Sequence, residues 1–507
     1  MPKARPPIVA VIITAIAVAA CSPATSPSPS PTTAASTPSA RQGAASSLPP
    51  GSAAPSEASS SAPTATSQVL VRGSARELSS NPVLMTPTRD GHLFVEVPSR
   101  SSGSTVLTRL DSKGRSTPGW PVTLAGATFC DAPMSLDDGS VRIVCTLQAP
   151  GVIERPGDEH FTTAGRDSGR AFAFDASGAT LPGWPVEIDA PVVPSRLIGD
   201  SLRVLAPVVT DVEDAENPPE WFLREIDAAG ATTNGAVMPR PGPCCAIVTI
   251  GPDGAAYAVT PGSPSEDTSQ VTAFDMKGTA PRFPVAVVGV ASGVAFDSDG
   301  NIWVLSAFPA DRTSRVIAVF DTGSAPLSFA AADPQSGDTG GCESTIPVPP
   351  LIGPGRNGMI VVYSDVDGNI FAVDRTLETA KGWPFSLPDP LVHPRPGPES
   401  EHEAGYCPGP LAPSIGPDGT VYLALESHTS SVGGSLIAVR PDGLVRAGWP
   451  VGLKRPGAEF WSVAVGVDGT VYTIAYEPAA GGKSTATLLA IAPDSTILYR
   501  TTIIAPD

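Results

Sequence analysis

Short apolar runs separated by acidic glycine turns recur along most of this chain, and their phase is regular. One stretch reads SIGPDG, TVYLALES, GSLIAVRPDG, VRAGWPVGL, and the next repeats the plan with SVAVGVDG, TVYTIAYE, ATLLAIAPD and STILYRTTI. Each stretch contains four strand-like segments, the outer pairs joined by tight turns. Asp-Gly or a close variant precedes an apolar run at Asp90-Gly91, Asp138-Gly139, Gly199-Asp200, Asp253-Gly254, Asp299-Gly300, Asn357-Gly358, Asp418-Gly419 and Asp468-Gly469. Asp-Gly between apolar runs predicts hairpins, here with type I′ turns that need positive φ at both central residues. Runs such as Ile360-Val361-Val362-Tyr363 and Leu489-Ala490-Ile491 lack polar alternation, as expected of strands covered on both faces. Four antiparallel strands repeated eight times predict an all-β chain, an eight-bladed β-propeller.

A second repeat runs in phase with the first. Gly-Trp-Pro occurs at Gly119-Trp120-Pro121, Gly183-Trp184-Pro185, Gly382-Trp383-Pro384 and Gly448-Trp449-Pro450, and Phe283-Pro284 takes the same place in the fourth unit. The pattern puts it in the fourth, outermost strand of a blade, where Pro blocks pairing with another molecule. Trp120, Trp184, Phe283, Trp383 and Trp449 are then expected to dock neighbouring blades. The 58 Pro and 50 Gly argue against long helices.

The beginning of the chain follows other rules. Lys3 and Arg5 precede an apolar run from Ile8 to Ala20 that ends in Val18-Ala19-Ala20-Cys21. This resembles a bacterial lipobox, which implies a signal peptide over 1–20 and a lipidated Cys21 at the mature terminus. Residues 21–67 are rich in Ser, Pro, Thr and Ala, a composition that cannot bury enough apolar surface to fold. They are expected to form a disordered tether reaching between roughly 40 Å as a coil and roughly 140 Å extended. The propeller domain is expected over 68–507, and whether Val69 to Leu78 adds a strand to the last blade is open. An exported protein, anchored by lipid to the outer face of the cell membrane or envelope, follows.

Charge and cysteines narrow the chemistry. The net charge of −18, with no basic stripe, argues against nucleic acid and suits a soluble monomeric body. Six cysteines remain in a chain whose export permits disulfides. Cys130 and Cys145 flank one hairpin; Cys342 and Cys407 occupy equivalent places in adjacent blades; Cys244-Cys245 are neighbours, as a vicinal disulfide or two thiols. Six cysteines allow 15 connectivities, and the sequence does not choose among them.

In an up-and-down blade, the links between strands one and two and between three and four share one face, and the remaining links share the other. All tight Asp-Gly turns are expected on the first face. The long loops Ala149 to Gly169, Asp211 to Glu220, Pro261 to Ser269, Asp389 to Pro408 and Ser427 to Gly434 are expected on the second. Cys130, Cys244, Cys245, Cys342 and Cys407 are expected there too, each just ahead of an innermost strand. Long loops gathered on one face of a rigid ring mark a binding surface.

The repeats AFDASGATLPGWPV (Ala173 to Val186) and AVRPDGLVRAGWPV (Ala438 to Val451) resemble the Ala-x-Asp…Gly…Trp docking motif of quinoprotein-like (PQQ-like) eight-bladed propellers. That family includes quinone-dependent dehydrogenases and non-catalytic lipoproteins, among them a scaffold of outer-membrane protein assembly. Some members set a vicinal disulfide against the cofactor, which Cys244-Cys245 resembles. Cation ligands and a catalytic Asp do not align residue by residue, and no Cys-x-x-Cys-His haem site is present.

Weaker signals remain. Gly199-Asp200-Ser201-Leu202 spells an esterase nucleophile motif but falls at a hairpin turn with no helix after it. Asp297, Asp299, Asp365 and Asp367 lie in turns resembling the start of calcium loops, without the closing acid at position twelve. His92, His160, His393, His402 and His428 are scattered, and Glu401-His402 in the longest loop offer metal-binding groups. The sequence thus predicts a surface-tethered propeller that binds protein or a cell-envelope polymer through its long-loop face, with no catalytic residue and no cofactor expected. The alternative is an exported PQQ-dependent dehydrogenase or calcium-dependent lactonase-like hydrolase using the central channel.

Overall fold

The computed structural model describes residues 66–68, 84–99, 103–147, 168–188, 193–207, 221–238, 247–261, 268–280, 283–297, 299–307, 315–320, 326–332, 351–353, 360–364, 369–374, 378–386, 413–425, 433–478 and 484–503. Among them are eight sheets and no helix. Seven are antiparallel meanders in chain order, and the eighth has one strand added. Blade 1, for example, runs Leu84–Pro87, Leu93–Ser99, Ser104–Leu110 and Val122–Ala125. The chain is an all-β, eight-bladed propeller.

Adjacent blades are welded by apolar side chains from facing sheets. Leu107, Trp120 and Leu124 of blade 1 meet Val141, Ile143 and Cys145 of blade 2. Similar clusters join blades 2 to 3, 3 to 4, 4 to 5, 6 to 7 and 7 to 8. Closure occurs where Tyr472, Leu488 and Tyr499 of blade 8 pack against Leu93, Val95 and Leu110 of blade 1. Strand alternation assigns the faces: in blade 1, Leu93, Val95 and Val97 turn to blade 8, while Phe94 turns to blade 2.

The aromatic–proline phrase precedes the fourth strand rather than lying in it. Trp120-Pro121 ends the connection before Val122–Ala125, and the Trp184, Trp383 and Trp449 phrases do the same before their outer strands. All five peptide bonds ahead of these prolines, Phe283-Pro284 included, are cis. Each Trp is about 93% buried and donates its indole N–H to a backbone carbonyl of the next blade: Ala176 at 3.2 Å, Ala228 at 3.2 Å, Pro441 at 3.0 Å and Pro493 at 3.0 Å. Every acceptor is the second residue of a tight turn between strands three and four. The glycine before Trp lies so close to that turn that a Cβ on Gly119 would sit 1.6 Å from the Ser177 carbonyl oxygen, and one on Gly183 2.0 Å from that of Ala229. Only glycine permits that approach.

The joint survives where the motif is missing. At blades 3 and 4, the Ala236 N–H donates to the Met276 carbonyl at 3.1 Å, and Gly235 abuts Met276. At the closure, the Tyr499 ring lies against Gly114, whose carbonyl accepts from the Thr501 hydroxyl at 3.4 Å. Outer-strand length follows the motif. Blades with aromatic-Pro end in short strands such as Val122–Ala125, Val186–Ile188 and Phe385–Ser386, whereas blades 3, 5 and 8 end in seven-residue strands.

The tight turns are not type I′. In Thr88–His92, Gly91 N–H donates to the Thr88 carbonyl and Thr88 N–H to the His92 carbonyl, and only the glycine has positive φ, at 80°. This is a type I turn closed by a glycine bulge. The turn Asp accounts for it, since its carboxylate accepts the N–H two residues on, as Asp138 does from Ser140 at 2.8 Å and Asp418 from Thr420 at 3.0 Å. Gly199-Asp200 alone among the described strand-one turns is a two-residue turn, with positive φ at glycine. Asn357-Gly358 lies outside the described residues.

Thr66–Gln68 forms a fifth strand on blade 8, parallel to Ile497–Ile503, with Thr66 opposite Arg500 and Gln68 opposite Thr502. Cys21 and the segments expected as signal peptide and most of the tether lie outside the described residues.

Two substitutions, Gly183→Ala and Trp449→Phe, test the joint, with Gly91→Ala as the control. Gly91 and Gly183 share positive φ, but a Cβ on Gly91 meets nothing within 4 Å. Gly91→Ala should cost only the left-handed backbone penalty of about 1 kcal/mol, and Gly183→Ala clearly more, read as the difference in urea midpoints. Trp449→Phe, which leaves the Pro493 carbonyl without its donor, should lower stability by about 1 kcal/mol in the same assay.

Candidate functional site

Meander topology sorts the connections. Strand-one to strand-two turns and strand-three to strand-four connections share one face. There the turns are short, and the longer three-to-four connections, such as 111–121 and 440–450, are consumed in the joints. The longest connections, 148–167, 208–220, 333–350 and 387–413, leave from the opposite face. One Asp-Gly pair departs from the expected sorting: Asp367-Gly368 falls between Ile360–Ser364 and Asn369–Val373, strands two and three of blade 6, a connection that parity assigns to the long-loop face.

On the short-turn face several charged groups are paired with one another. Asp90 lies beside Thr88 and receives Arg109 at 2.6 Å and His92 Nδ1 at 3.1 Å. Burial alone would raise its pKa, but the Thr88 and His92 hydrogen bonds hold the carboxyl near 2. Arg109 also reaches the Ala176 carbonyl at 3.0 Å, the acceptor used by Trp120. A groove of about 610 Å³ between blades 7 and 8 is lined by Asp418, Arg440, Arg446, Pro441 and Pro493, and its Arg446 is paired with Asp418 at 2.6 Å.

The inner strands differ near the long-loop face. Those of blades 2, 3, 5 and 8 change register there, between Ala127 and Phe129, Val193 and Ser195, Ala291 and Gly293, and Phe460 and Val463. Bulges re-aim side chains and recur beside functional sites. The blade 2 strand Ala127–Cys130 is bridged by a Cys130–Cys145 disulfide to its partner strand. Cys130 thus lies in the innermost strand rather than ahead of it. Immediately after it, Asp131 accepts a hydrogen bond from the Ser195 hydroxyl of blade 3 at 2.6 Å.

Across the seam, Glu96 shares the face of Phe94 and so turns to blade 2; it is 3% exposed, and its Oε2 has no hydrogen-bond partner. Burial, reinforced by the charge of Asp131, pushes Glu96 up to about 8, and burial also raises Asp131. Asp131 thus reaches Glu96 only through its charge, its own hydrogen bond running to blade 3. Trp461 and Tyr476 of blade 8 form a T-shaped pair, ring centroids 5.6 Å apart, at the same end of the ring, and burial raises the Tyr476 phenol to about 12.

The residues singled out in the sequence distribute differently. Asp297 accepts backbone N–H groups of Asp299 and Asn301 and side-chain N–H groups of Asn301 and Trp303, so its oxygens serve the turn. Asp299 is exposed in the same turn. Asp365, Asp367, Glu401, His402, Cys244, Cys245, Cys342 and Cys407 lie outside the described residues, as do His160, His393 and His428. Among the described residues, no three His, Cys, Asp or Glu side chains gather in metal-holding geometry. Glu96 and Asp131 escaped the sequence reading, although a lone acid within the apolar run Leu93-Phe94-Val95-Glu96-Val97 was a legible anomaly.

No protein-family description matches this sequence, and no curated protein is recognisably similar to it. Solved structures with a similar course include a computationally designed protein, Ika8, at 9% identity and TM-score 0.42, over 84% of this chain and 98% of that one. A eukaryotic initiation factor gives 11% and 0.41, over 84% and 97%. The β-propeller domain of the Trilobed protease from Pyrococcus furiosus gives 10% and 0.37, over 71% and 93%. The fold assignment rests on the eight sheets and their closure.

Glu96 generates a pH prediction. Below its ordinary value of 4.5 the carboxyl is protonated both folded and unfolded. Between 4.5 and about 8 the unfolded chain has released a proton that the fold retains, so stability should fall as pH rises, by at most about 1.4 kcal/mol per unit. Glu96→Gln should flatten that slope, matching wild type near pH 4 and exceeding it at pH 8 in denaturant titrations.

Proposed function

We propose that this chain is a lipid-anchored propeller on the outer face of the cell membrane or envelope, a non-catalytic binding or scaffold module that engages protein or a cell-envelope polymer through its long-loop face. The observation that carries this reading is the sorting of connections. On one face the turns are short and the longer connections are bound into inter-blade joints, while the longest connections leave from the other. A rigid ring holding its irregular backbone on one side presents a surface that can vary without cost to the core. The lipid part rests on the residues around Cys21, which a palmitate-labelling experiment addresses: label should be incorporated and then lost in Cys21→Ser, with release of protein from the membrane fraction.

The binding reading is tested by co-sedimentation with isolated cell-envelope material. Replacing 148–167 and 387–413 with short Gly-Ser links should weaken binding by at least about tenfold, a change of about 1.4 kcal/mol. Substitutions at Lys113 or Asp227 on the short-turn face should leave it unchanged. Equal loss from both faces would defeat the reading. The exported-enzyme alternative, a PQQ-dependent dehydrogenase or calcium-dependent lactonase-like hydrolase, draws support from the buried Glu96 carboxyl, whose burial raises its pKa toward the range that acid–base chemistry uses. Melting in the presence of PQQ with calcium decides between them: a rise beyond that given by calcium alone favours the enzyme.

A further inference from the structure

Blade 8 gathers two aromatic rings and an acid on one face at the ring mouth. Its innermost strand, Glu459–Val465, carries a bulge: Phe460 pairs with Ala475 and Val463 with Thr473, which leaves Trp461 and Ser462 together opposite Ile474. Phe460 and Val463 turn to blade 7, whereas Ile474 and Trp461 belong to the seam with blade 1. Glu459 lies directly opposite Tyr476, with β carbons about 5 Å apart, so its carboxylate shares the face of Tyr476 and Trp461. Those two rings are half-buried and stand edge to face, at an interplanar angle of 75°.

The blade 1 side of this seam supplies Met85, Leu93, Val95 and Val97, with Thr108 as a hydroxyl opposite Val95. Glu477, opposite Thr485, and Arg500, opposite Leu489, turn to the other face of blade 8, and Lys454 and Arg455 are exposed on the link ahead of the strand. Among the described residues Glu459 forms no ion pair, and the arginines that lie over aromatic rings cover Phe94, Trp184, Phe172 and Phe222 instead. Ser462 Oγ is buried without a hydrogen-bond partner among them. An unpaired carboxylate beside two ring faces makes a cradle of negative potential, because each face carries the negative side of its ring quadrupole. A cation satisfies that carboxylate, whereas a neutral sugar would desolvate it without compensation.

We propose that Glu459, Trp461 and Tyr476 hold the ammonium group of a lysine from a basic segment of a protein partner. The rings form two walls, Glu459 supplies the opposite charge, and Ser462 Oγ is a further acceptor beside Trp461. A lysine suits the place because its alkyl stem can lie along apolar groups such as Met85 and Val97 while its compact head reaches the rings. The net charge of −18 draws a basic partner toward the ring. The site lies on the long-loop face, so the proposal rests on the binding reading and names the chemistry of its partner.

Calorimetric titration of the detergent-solubilised full chain with an end-blocked pentalysine peptide tests this. The peptide should bind, and acetylating its side chains should abolish binding. Glu459→Gln and Trp461→Leu should each weaken it by at least about tenfold, with Trp461→Phe in between. Asp137→Asn, which removes an exposed acid on the short-turn face, should bind as wild type does. Glu459→Gln should melt as wild type does, which separates a lost contact from a misfolded variant. The proposal is overturned if the peptide does not bind, if Asp137→Asn weakens binding as much as Glu459→Gln, or if a neutral chitotetraose displaces the peptide. Envelope material that binds both site variants as well as wild type, through the loops, would overturn the site and leave the binding reading standing; peptide binding that persists when envelope binding ignores the loops would do the reverse.

Discussion

The contact on which this ring depends is the one between an indole N–H and a turn carbonyl of the following blade. Stacked sheets have apolar faces that can slide, and burial alone, at about 25 cal/mol per Å², does not choose a register. The Trp120, Trp184, Trp383 and Trp449 bonds do, because each is directional and each uses the same turn position. Phe94 and Phe174 hold Trp120 edge-on at 5.3 and 5.9 Å, so the ring is fixed before its donor is spent. The short-turn face is thereby committed to architecture, and chemical freedom is left to the other side.

The fold was legible in the sequence because its two marks repeat with the same phase and each has a mechanical reason. Asp-Gly located the turns, although the turn type was misread: the Asp side chain caps a backbone N–H and so favours a type I turn with a glycine bulge. Gly-Trp-Pro marked the blade boundaries, but its work lies in the preceding connection, where the glycine lets two backbones touch. The joints at blades 3 to 4 and 8 to 1 were invisible, since backbone groups and a Tyr–Thr pair carry no repeated letters.

The mouth was far less legible. Glu96 acquires its character from burial, to which the charge of Asp131 adds, and both arise only when separate blades pack. No local pattern encodes that meeting. Register shifts in the inner strands are equally silent, because a bulge is one extra residue in a run that remains apolar. The Asp297 turn illustrates the reverse case, a calcium-like string whose donors are absorbed by its own hairpin. Spacing reports what a loop could hold, and the hydrogen bonds report what it already holds.

The strand Thr66–Gln68 adds no side of the ring, yet it changes how force passes through the molecule. Because it lies parallel to Ile497–Ile503, tension drawn along the strand axis from the chain ahead of Thr66 loads the paired residues together, in shear, instead of peeling them one after another. The load enters the final blade and spreads through the Tyr499 and Thr501 contacts to Gly114, bypassing the first hairpin. That strand thus joins the chain ahead of the ring to the blade at which the ring closes.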